Sequence, residues 1–458
     1  VGKVTEIFLS DCRLPTAYFY SYFCVSKFGF LKKILIITYY WPPFGGSGVQ
    51  RWLKFVKYLP SFDYQPFVFT PENPFVEIQD ASLLKDVPAE AEVIKLPIWE
   101  PYQLFQKLSG NKKQTDFVST GKKSFLQRLS LFVRGNFFIP DARVFWVRPS
   151  VLFLDDFLKS NHIDTIITTG PPHSMHLIGL KLKQKNPALK WVADFRDPWS
   201  EWDLLDTFSL TNWARRQHKK MEKKVLTNAD EVITIAPYHQ QRLQTLGGRK
   251  VHLITNGFDE DDFKDVRHHP TEKFTLRHIG VVDELRDPRP VMQAIKDLII
   301  EGRVRKEKIL VEFIGNVNSR FRAEVQDDPM LNAITSFVPH LPHSEVLQRS
   351  GSTDVQLLVL AHTAIAPGNL PGKFFEYLAS GNFILGIGPE EGDAAAILKE
   401  LTVGAIIERH NLSALKKLVL ERFDYWQTPA RITPFNATVF SRRNLTQQLV
   451  KILASLRA

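Results

Sequence analysis

Lys373 and Glu376 stand three residues apart in Gly372-Lys373-Phe374-Phe375-Glu376-Tyr377-Leu378-Ala379-Ser380-Gly381, a spacing that puts both on one face of a helix, near its start. A cation at a helix N-terminus suits a phosphate group, and a carboxylate one turn later suits a bidentate bond to the vicinal hydroxyls of a ribose. A surface ion pair has the same local pattern. In Pro42-Pro43-Phe44-Gly45-Gly46-Ser47-Gly48, Gly45 and Gly46 let backbone amides approach an anion where a strand turns into a helix. A plain tight turn has the same composition, and the loop lacks both the third glycine of a dinucleotide fingerprint and the P-loop lysine. Gly170-Pro171-Pro172-His173-Ser174 sets His173 just after another strand-like run, where it is either structural or next to a reacting group. Asp194-Phe195-Arg196-Asp197-Pro198-Trp199 follows a further run. Asp259-x-Asp261 lies in a turn between units, a poor place for a metal, and the histidines, His268-His269 included, have no metal-ligand spacing.

The elements that must position these residues alternate along the chain. Ile34-Leu35-Ile36-Ile37-Thr38 is a short, almost wholly apolar run, as expected of a strand buried in a parallel sheet, and helical spacing resumes at Val49, Trp52, Leu53, Phe55 and Val56. Similar runs occur at 67–69, 165–168, 191–194, 231–235 and 251–254. From Asn256 to Pro270 the pattern lapses into a turn-rich, acidic linker. A second series follows at 275–280, 309–315, 354–360, 383–387 and 404–407, with Ile334 to Phe337 also strand-like. Strands separated by helices predict α/β architecture, with two Rossmann-like domains facing across a cleft. The expected divisions are an unstructured or interfacial extension at 1–31, a first domain at 32–265, a second at 266–434 and a terminal helix at 435–458 that crosses back to the first.

The strand with Pro-Pro-x-Gly-Gly, Asn256-Gly257-Phe258-Asp259 at the junction, and the segment from Lys373 to Gly381 together resemble the retaining, nucleotide-sugar-dependent glycosyltransferases of GT-B family 4 (group 1), over about residues 32–458. The Gly170 to Ser174 and Asp194 to Trp199 segments are similar to a subgroup associated with bacterial surface-polysaccharide synthesis. This resemblance implies that Glu376 binds the donor ribose and that Lys373 and Arg286 meet the diphosphate. It implies that Gly45 and Gly46 cap the diphosphate from the opposite domain, that Val338 and His340 border the base, and that His173 lies near the reacting sugar. Arg196 and Asp197 would belong to the acceptor side of the cleft. Two positions depart from the family pattern: Gly368 stands where the first of two paired glutamates is expected, and Val281 where an arginine is, with Arg289 a candidate replacement.

The implied activity is retaining transfer of a hexosyl-type sugar from a UDP- or GDP-sugar to a hydroxyl of a glycan or lipid-linked acceptor, without cofactor or metal, in bacterial cell-surface polysaccharide or glycolipid synthesis. Two alternatives stand beside it: a nucleotide-sugar epimerase or hydrolase on the same fold, and a non-catalytic nucleotide-sugar-binding, membrane-associated protein.

The formal net charge of +10 is concentrated in two segments. Residues 101–148 hold nine Lys or Arg against two Asp, and residues 211–224 hold six against one Glu. Both lie in the expected first domain, away from the donor motifs, and they point to an anionic membrane surface. Neither has a nucleic-acid-binding motif. Within the first, Phe125, Leu126, Leu129, Phe132 and Val133 form one apolar helical face flanked by Lys122, Lys123, Arg128 and Arg134, suited either to a membrane surface or to packing on a core. No run is apolar and long enough to span a bilayer. The two cysteines, Cys12 and Cys24, lie in the first 24 residues, which leaves nothing later to form a disulfide and suits a reducing compartment. A cytoplasmic protein, peripheral at the inner face of the cell membrane, is the resulting expectation.

Overall fold

Ile34, Leu35, Ile36 and Ile37 are without solvent exposure in β1 (Lys32–Ile37), because a parallel strand covered on both faces has no polar side. The computed structural model describes residues 31–75, 79–100, 125–428 and 437–457; the N-terminal extension and Lys107 to Lys123 of the basic segment lie outside them. Six more strands join β1: β2 (Tyr64–Pro71), β3 (Glu92–Leu96), β4 (Thr165–Gly170), β5 (Lys190–Phe195), β6 (Glu231–Thr234) and β7 (His252–Leu253). They form a parallel sheet in the order β3-β2-β1-β4-β5-β6-β7. The second sheet is also parallel and contains β8 (Phe274–Ile279), β9 (Ile309–Ile314), β10 (Thr335–Val338), β11 (Val355–Val359), β12 (Phe383–Ile387) and β13 (Gly404–Ile407). Its order is β10-β9-β8-β11-β12-β13.

The connecting helices of the first unit are α1 (Ser47–Tyr58), α2 (Phe125–Phe137), α3 (Val144–Ser160), α4 (Ser174–Lys185), α5 (Asn212–Asn228), α6 (Pro237–Gly247) and the single turn α7 (Glu260–Phe263). Those of the second are α8 (Arg289–Ile300), α9 (Ser319–Asp327), α10 (Pro329–Ile334), α11 (His343–Ser350), α12 (Gly372–Ala379), α13 (Asp393–Leu401) and α14 (Leu412–Trp426). The last helix, α15 (Arg442–Ser455), sends Leu445, Leu449, Ile452 and Leu453 into the core of the first sheet.

In each sheet the chain builds outward from one strand (β1 or β8) and then restarts on that strand's other side (β4 or β11). Loops at the carboxyl ends of such neighbouring strands open a crevice, the usual ligand position in an open α/β sheet. The loops that carry Gly45 and Gly46, His173, Arg286 and Lys373 all follow one of these four strands.

The two units are tied at the linker. Phe258 pairs with Ser441 in a parallel bridge, and the Arg442 amide donates to the Phe258 carbonyl at 2.8 Å. The expected Asp-x-Asp turn belongs to this tie. Lys54 Nζ of α1 stands 2.8, 2.7 and 2.9 Å from carboxylate oxygens of Asp86, Asp259 and Asp262, so an ammonium group already occupies the centre of that acidic cluster. Lys57 adds bonds to Asp259 and Asp261.

Candidate active site

Helix α12 begins at Gly372 after Pro371, and no side chain caps its first turn. Helix α1, which starts after the glycine loop, is likewise uncapped: Gly46 sits before it at φ 88°. Side chains do cap α5, α9, α14 and α15, through Thr211, Asn318, Asn411 and Ser441. Helices α3, α4, α6, α8, α11 and α13 lack a side-chain cap too, so what sets α1 and α12 apart is their place after β1 and β11, where free N–H groups and the positive end of the helix dipole suit an anion.

Two contacts latch α12 to the end of β8. The Ile279 amide donates to Tyr377 Oη at 3.0 Å, and Lys373 Nζ donates to the Ile279 carbonyl at 3.0 Å. The lysine reaches this point because the next residue is glycine. Gly280 has φ +127°, a conformation that L side chains rarely adopt, and a Cβ there would lie 3.2 Å from Lys373 Nζ. Burial, and then the neighbouring Arg286 guanidinium, push the Lys373 ammonium down to about 7, with Glu376 and Asp283 opposing them. Arg286 is partly exposed and bonds Asp283 at 2.7 Å; Asp283 also accepts the amides of Leu285 and Arg286 and so shapes the turn.

Glu376 bonds His343 Nε2 at 3.0 Å through Oε1. Burial alone would raise the Glu376 pKa, but the His343 bond and the charges of His343, Arg442 and Lys54 outweigh it and hold the carboxylate lowered. His343 shows the reverse: burial lowers it, while Glu376 and Asp262 bring it above its usual value despite Lys54. Each therefore favours the charged form of the other. Val338 ends β10, where its carbonyl accepts the Gly315 amide at 3.0 Å, and His340 is exposed in the following loop.

On the other wall, Arg196 donates to the carbonyls of Gly48 at 2.9 Å, Gly170 at 3.2 Å and Pro171. It thus fixes the glycine loop against the Pro-Pro-His loop, a positioning role, while Asp197 beside it is half-buried. His173 precedes α4 and stacks on Trp199, ring centroids 5.0 Å apart. It is buried, neither ring nitrogen has a partner among the described residues, and burial first, then the charges of His176 and Arg196 among others, keep it neutral.

The sequence-derived residues therefore gather as two groups on facing loops: Arg286, Lys373 and Glu376 in the second unit, and Gly45, Gly46, His173 and Arg196 in the first. Three neighbours escaped the sequence reading. His343 holds Glu376 from a helix 33 residues away, and the charge of Arg442 in α15 acts on it without a bond. The third is His239 of α6, which touches Gly368: a Cβ at Gly368 would lie 2.6 Å from the His239 ring and 2.9 Å from Tyr238. Glycine at 368 thus has a packing reason, since an imidazole from the first unit fills the space a side chain would need. Nearby, the Tyr238 amide donates to Asp393 of α13 at 2.9 Å and Asn256 to the Leu370 carbonyl at 3.4 Å. None of these contacts has a local sequence signal.

Two parallel, doubly wound sheets, facing loops at their switch points and a last helix returning to the first unit define the GT-B fold. Solved structures share it across nearly the whole chain. A sucrose-phosphate synthase from Thermosynechococcus elongatus superposes with a TM-score of 0.62 at 14% identity, covering 93% of this chain and 99% of that one. A glycosyltransferase from Rickettsia africae gives 0.60 at 13% identity, with 93% and 98% covered. A putative UDP-N-acetylglucosamine 2-epimerase from Listeria monocytogenes gives 0.53 at 11%, with 92% and 96% covered. At these identities the likeness establishes the fold. No protein-family model matches the sequence, and no curated relative matches it.

Proposed function

We propose that this protein is a retaining glycosyltransferase that moves a sugar from a UDP- or GDP-sugar to a hydroxyl of a glycan or lipid-linked acceptor. The observation that carries the reading is the uncapped α12 N-terminus with Lys373, Arg286 and the Glu376–His343 pair around it. Phosphate at the helix N-terminus and ribose hydroxyls on Glu376 suit one nucleoside diphosphate. In the transfer step the bond from the sugar's anomeric carbon to the diphosphate breaks, the acceptor oxygen bonds that carbon on the departing face, and the acceptor proton passes to the leaving phosphate. Arg286, Lys373 and the loop amides stabilise the charge that grows on the diphosphate, a task that needs no metal. His173, neutral and without a partner among the described residues, is suited to accept or donate a bond at the sugar.

A diphosphate beside Lys373 would restore its charged form, because an anionic neighbour raises an ammonium pKa. Calorimetry of UDP and GDP binding at pH 7.5, in buffers of different ionisation enthalpy, should register proton uptake in the wild type that is lost in Lys373→Met. Equal uptake by the two proteins contradicts the assignment.

The acceptor is expected at the inner face of a bacterial membrane, in cell-surface polysaccharide or glycolipid synthesis. Leu129, Phe132 and Phe137 of α2, Phe145, Leu152 and Phe153 of α3, and Trp99 and Trp213 are exposed, Phe137 by 73%. Arg215, Arg216, Lys219, Lys220, Lys223 and Lys224 of α5 are exposed too. Apolar side chains beside cations suit an anionic lipid surface, each near-surface cation adding about 1 kcal/mol. Among the described residues no helix is long and apolar enough to cross a membrane. Flotation should show binding to phosphatidylglycerol vesicles, little to phosphatidylcholine, and loss in Leu129→Asp/Phe137→Asp. Equal binding to both lipids contradicts the proposal.

The Listeria likeness favours one second reading, nucleotide-sugar epimerisation or hydrolysis without an acceptor. It differs in outcome by needing no acceptor hydroxyl.

A further inference from the structure

Three arginines are buried among the described residues, and two of them are held by bonded acceptors. Arg51 bonds both Asp194 oxygens and the Thr255 carbonyl, and Arg277 bonds Glu312 and the Ser352 carbonyl. Arg442 is different. It is 3% exposed, its guanidinium makes no ion pair or hydrogen bond among the described residues, and Nη1 is wholly covered without a partner. A guanidinium carries five N–H donors, and burying it without acceptors is costly.

The groups facing it explain why it is left over. Burial, and then Arg51 of α1, push Arg442 down to about 9, against Glu376 of α12, Asp259 of the linker and Asp194 of β5. It therefore stays protonated at neutral pH. Each of these carboxylates is committed elsewhere. Asp259 accepts from Lys54, Lys57 and Tyr58, Asp194 from Arg51, Trp52 and Thr169, and Glu376 is paired with His343. A buried charged group without a partner calls for an explanation, an absent ligand being one.

Arg442 also stands at a particular place in the fold. It opens α15, whose apolar face belongs to the first core, and its amide is bonded to the linker at Phe258. Two residues earlier, Phe440 packs on Phe375 of α12 with ring centroids 5.2 Å apart, which sets the start of α15 beside the helix of the second unit that carries Glu376. We propose that Arg442 binds a phosphoryl oxygen of the nucleoside diphosphate held at α12, so that the returning helix supplies a donor-site cation from the opposite side of the linker. This rests on the nucleotide-donor reading above. Arginine suits the task because its fork can make two parallel bonds to a phosphate.

A ligand-binding role and a structural role predict opposite changes. UDP and GDP affinities should be measured by calorimetry for the wild type, Arg442→Lys and Arg442→Gln, with thermal melting of each protein without ligand. The account predicts a 10- to 100-fold weaker nucleoside diphosphate in Arg442→Gln, a smaller loss in Arg442→Lys, and an unliganded melting temperature in Arg442→Gln equal to or above that of the wild type. Unchanged affinity in both variants overturns the proposal while leaving the donor reading intact. A fall in melting temperature in both variants overturns it in favour of a structural cation. A wild type that binds neither nucleotide overturns the donor reading and the proposal with it.

Discussion

Replacing Glu376 by alanine should weaken UDP or GDP binding about 100-fold while leaving the melting temperature nearly unchanged. Two charge-assisted hydrogen bonds to ribose hydroxyls are worth roughly 3 kcal/mol together, which converts to about two powers of ten in Kd. The variant also leaves His343 without its carboxylate. Both side chains are about a quarter exposed, so water replaces the pair and the folding cost stays small. Glu376→Gln, which keeps one acceptor oxygen and the shape, should fall between the two. Calorimetric titration checks the series. An alanine variant with wild-type affinity would remove the ribose assignment, and with it the main reason to read α12 as a nucleotide site.

The largest effect on stability is expected at Asp194, which has no solvent exposure and accepts four hydrogen bonds. Arg51 Nε and Nη2 donate at 3.1 and 3.0 Å, Trp52 Nε1 at 2.7 Å and Thr169 Oγ1 at 3.0 Å. Asp194→Ala leaves a buried guanidinium without its counter-charge and an indole N–H unpaired, at a cost of about 3–5 kcal/mol. Because Arg51 and Trp52 belong to α1, which carries the glycine loop at its start, donor binding should weaken as well. Burial alone would raise the Asp194 pKa, but the Arg51 charge and the bonds from Arg51 and Trp52 outweigh it and hold the carboxyl lowered. A depressed folded-state pKa means the stabilisation is present above the unfolded value, about 3.9, and is lost as pH falls through the folded value. Denaturant midpoints at pH 7 and pH 3 for the wild type and Asp194→Ala should therefore converge towards acid. Asp155→Ala, which breaks exposed bridges to Lys159 and Lys185, should move the midpoint within ~0.5 kcal/mol. A midpoint as little changed in Asp194→Ala would contradict the account.

Much of the scaffold was legible because parallel strands covered on both faces must be apolar throughout, and runs such as Ile34 to Ile37 have few alternative uses. β3 escaped for the converse reason. It lies at the sheet edge with Glu92 and Lys95 exposed, so it has no continuous apolar signature. Within the candidate site, Lys373 and Glu376 were legible because their relation is local, one helical turn. His343, His239 and Arg442 were not, since their relations run between elements that meet only in three dimensions. Asp259 makes the same point: in sequence it reads as half of an Asp-x-Asp pair, but its partner Lys54 lies 205 residues away. Gly368 reads as a missing side chain until His239 is seen in the space. The two basic segments differ again, since composition alone located them and only the described part, with Phe137 and the α5 cations exposed, ties them to a surface.

The most direct test of the central claim is to incubate the protein with UDP- and GDP-sugars, with and without a bacterial membrane lipid extract, and follow nucleoside diphosphate release together with the fate of the sugar. The account predicts release only when the extract is present, with the sugar recovered on a lipid or glycan hydroxyl and its anomeric configuration retained. Release or epimerisation at the same rate without acceptor, or nucleotide binding with no turnover under either condition, would contradict it.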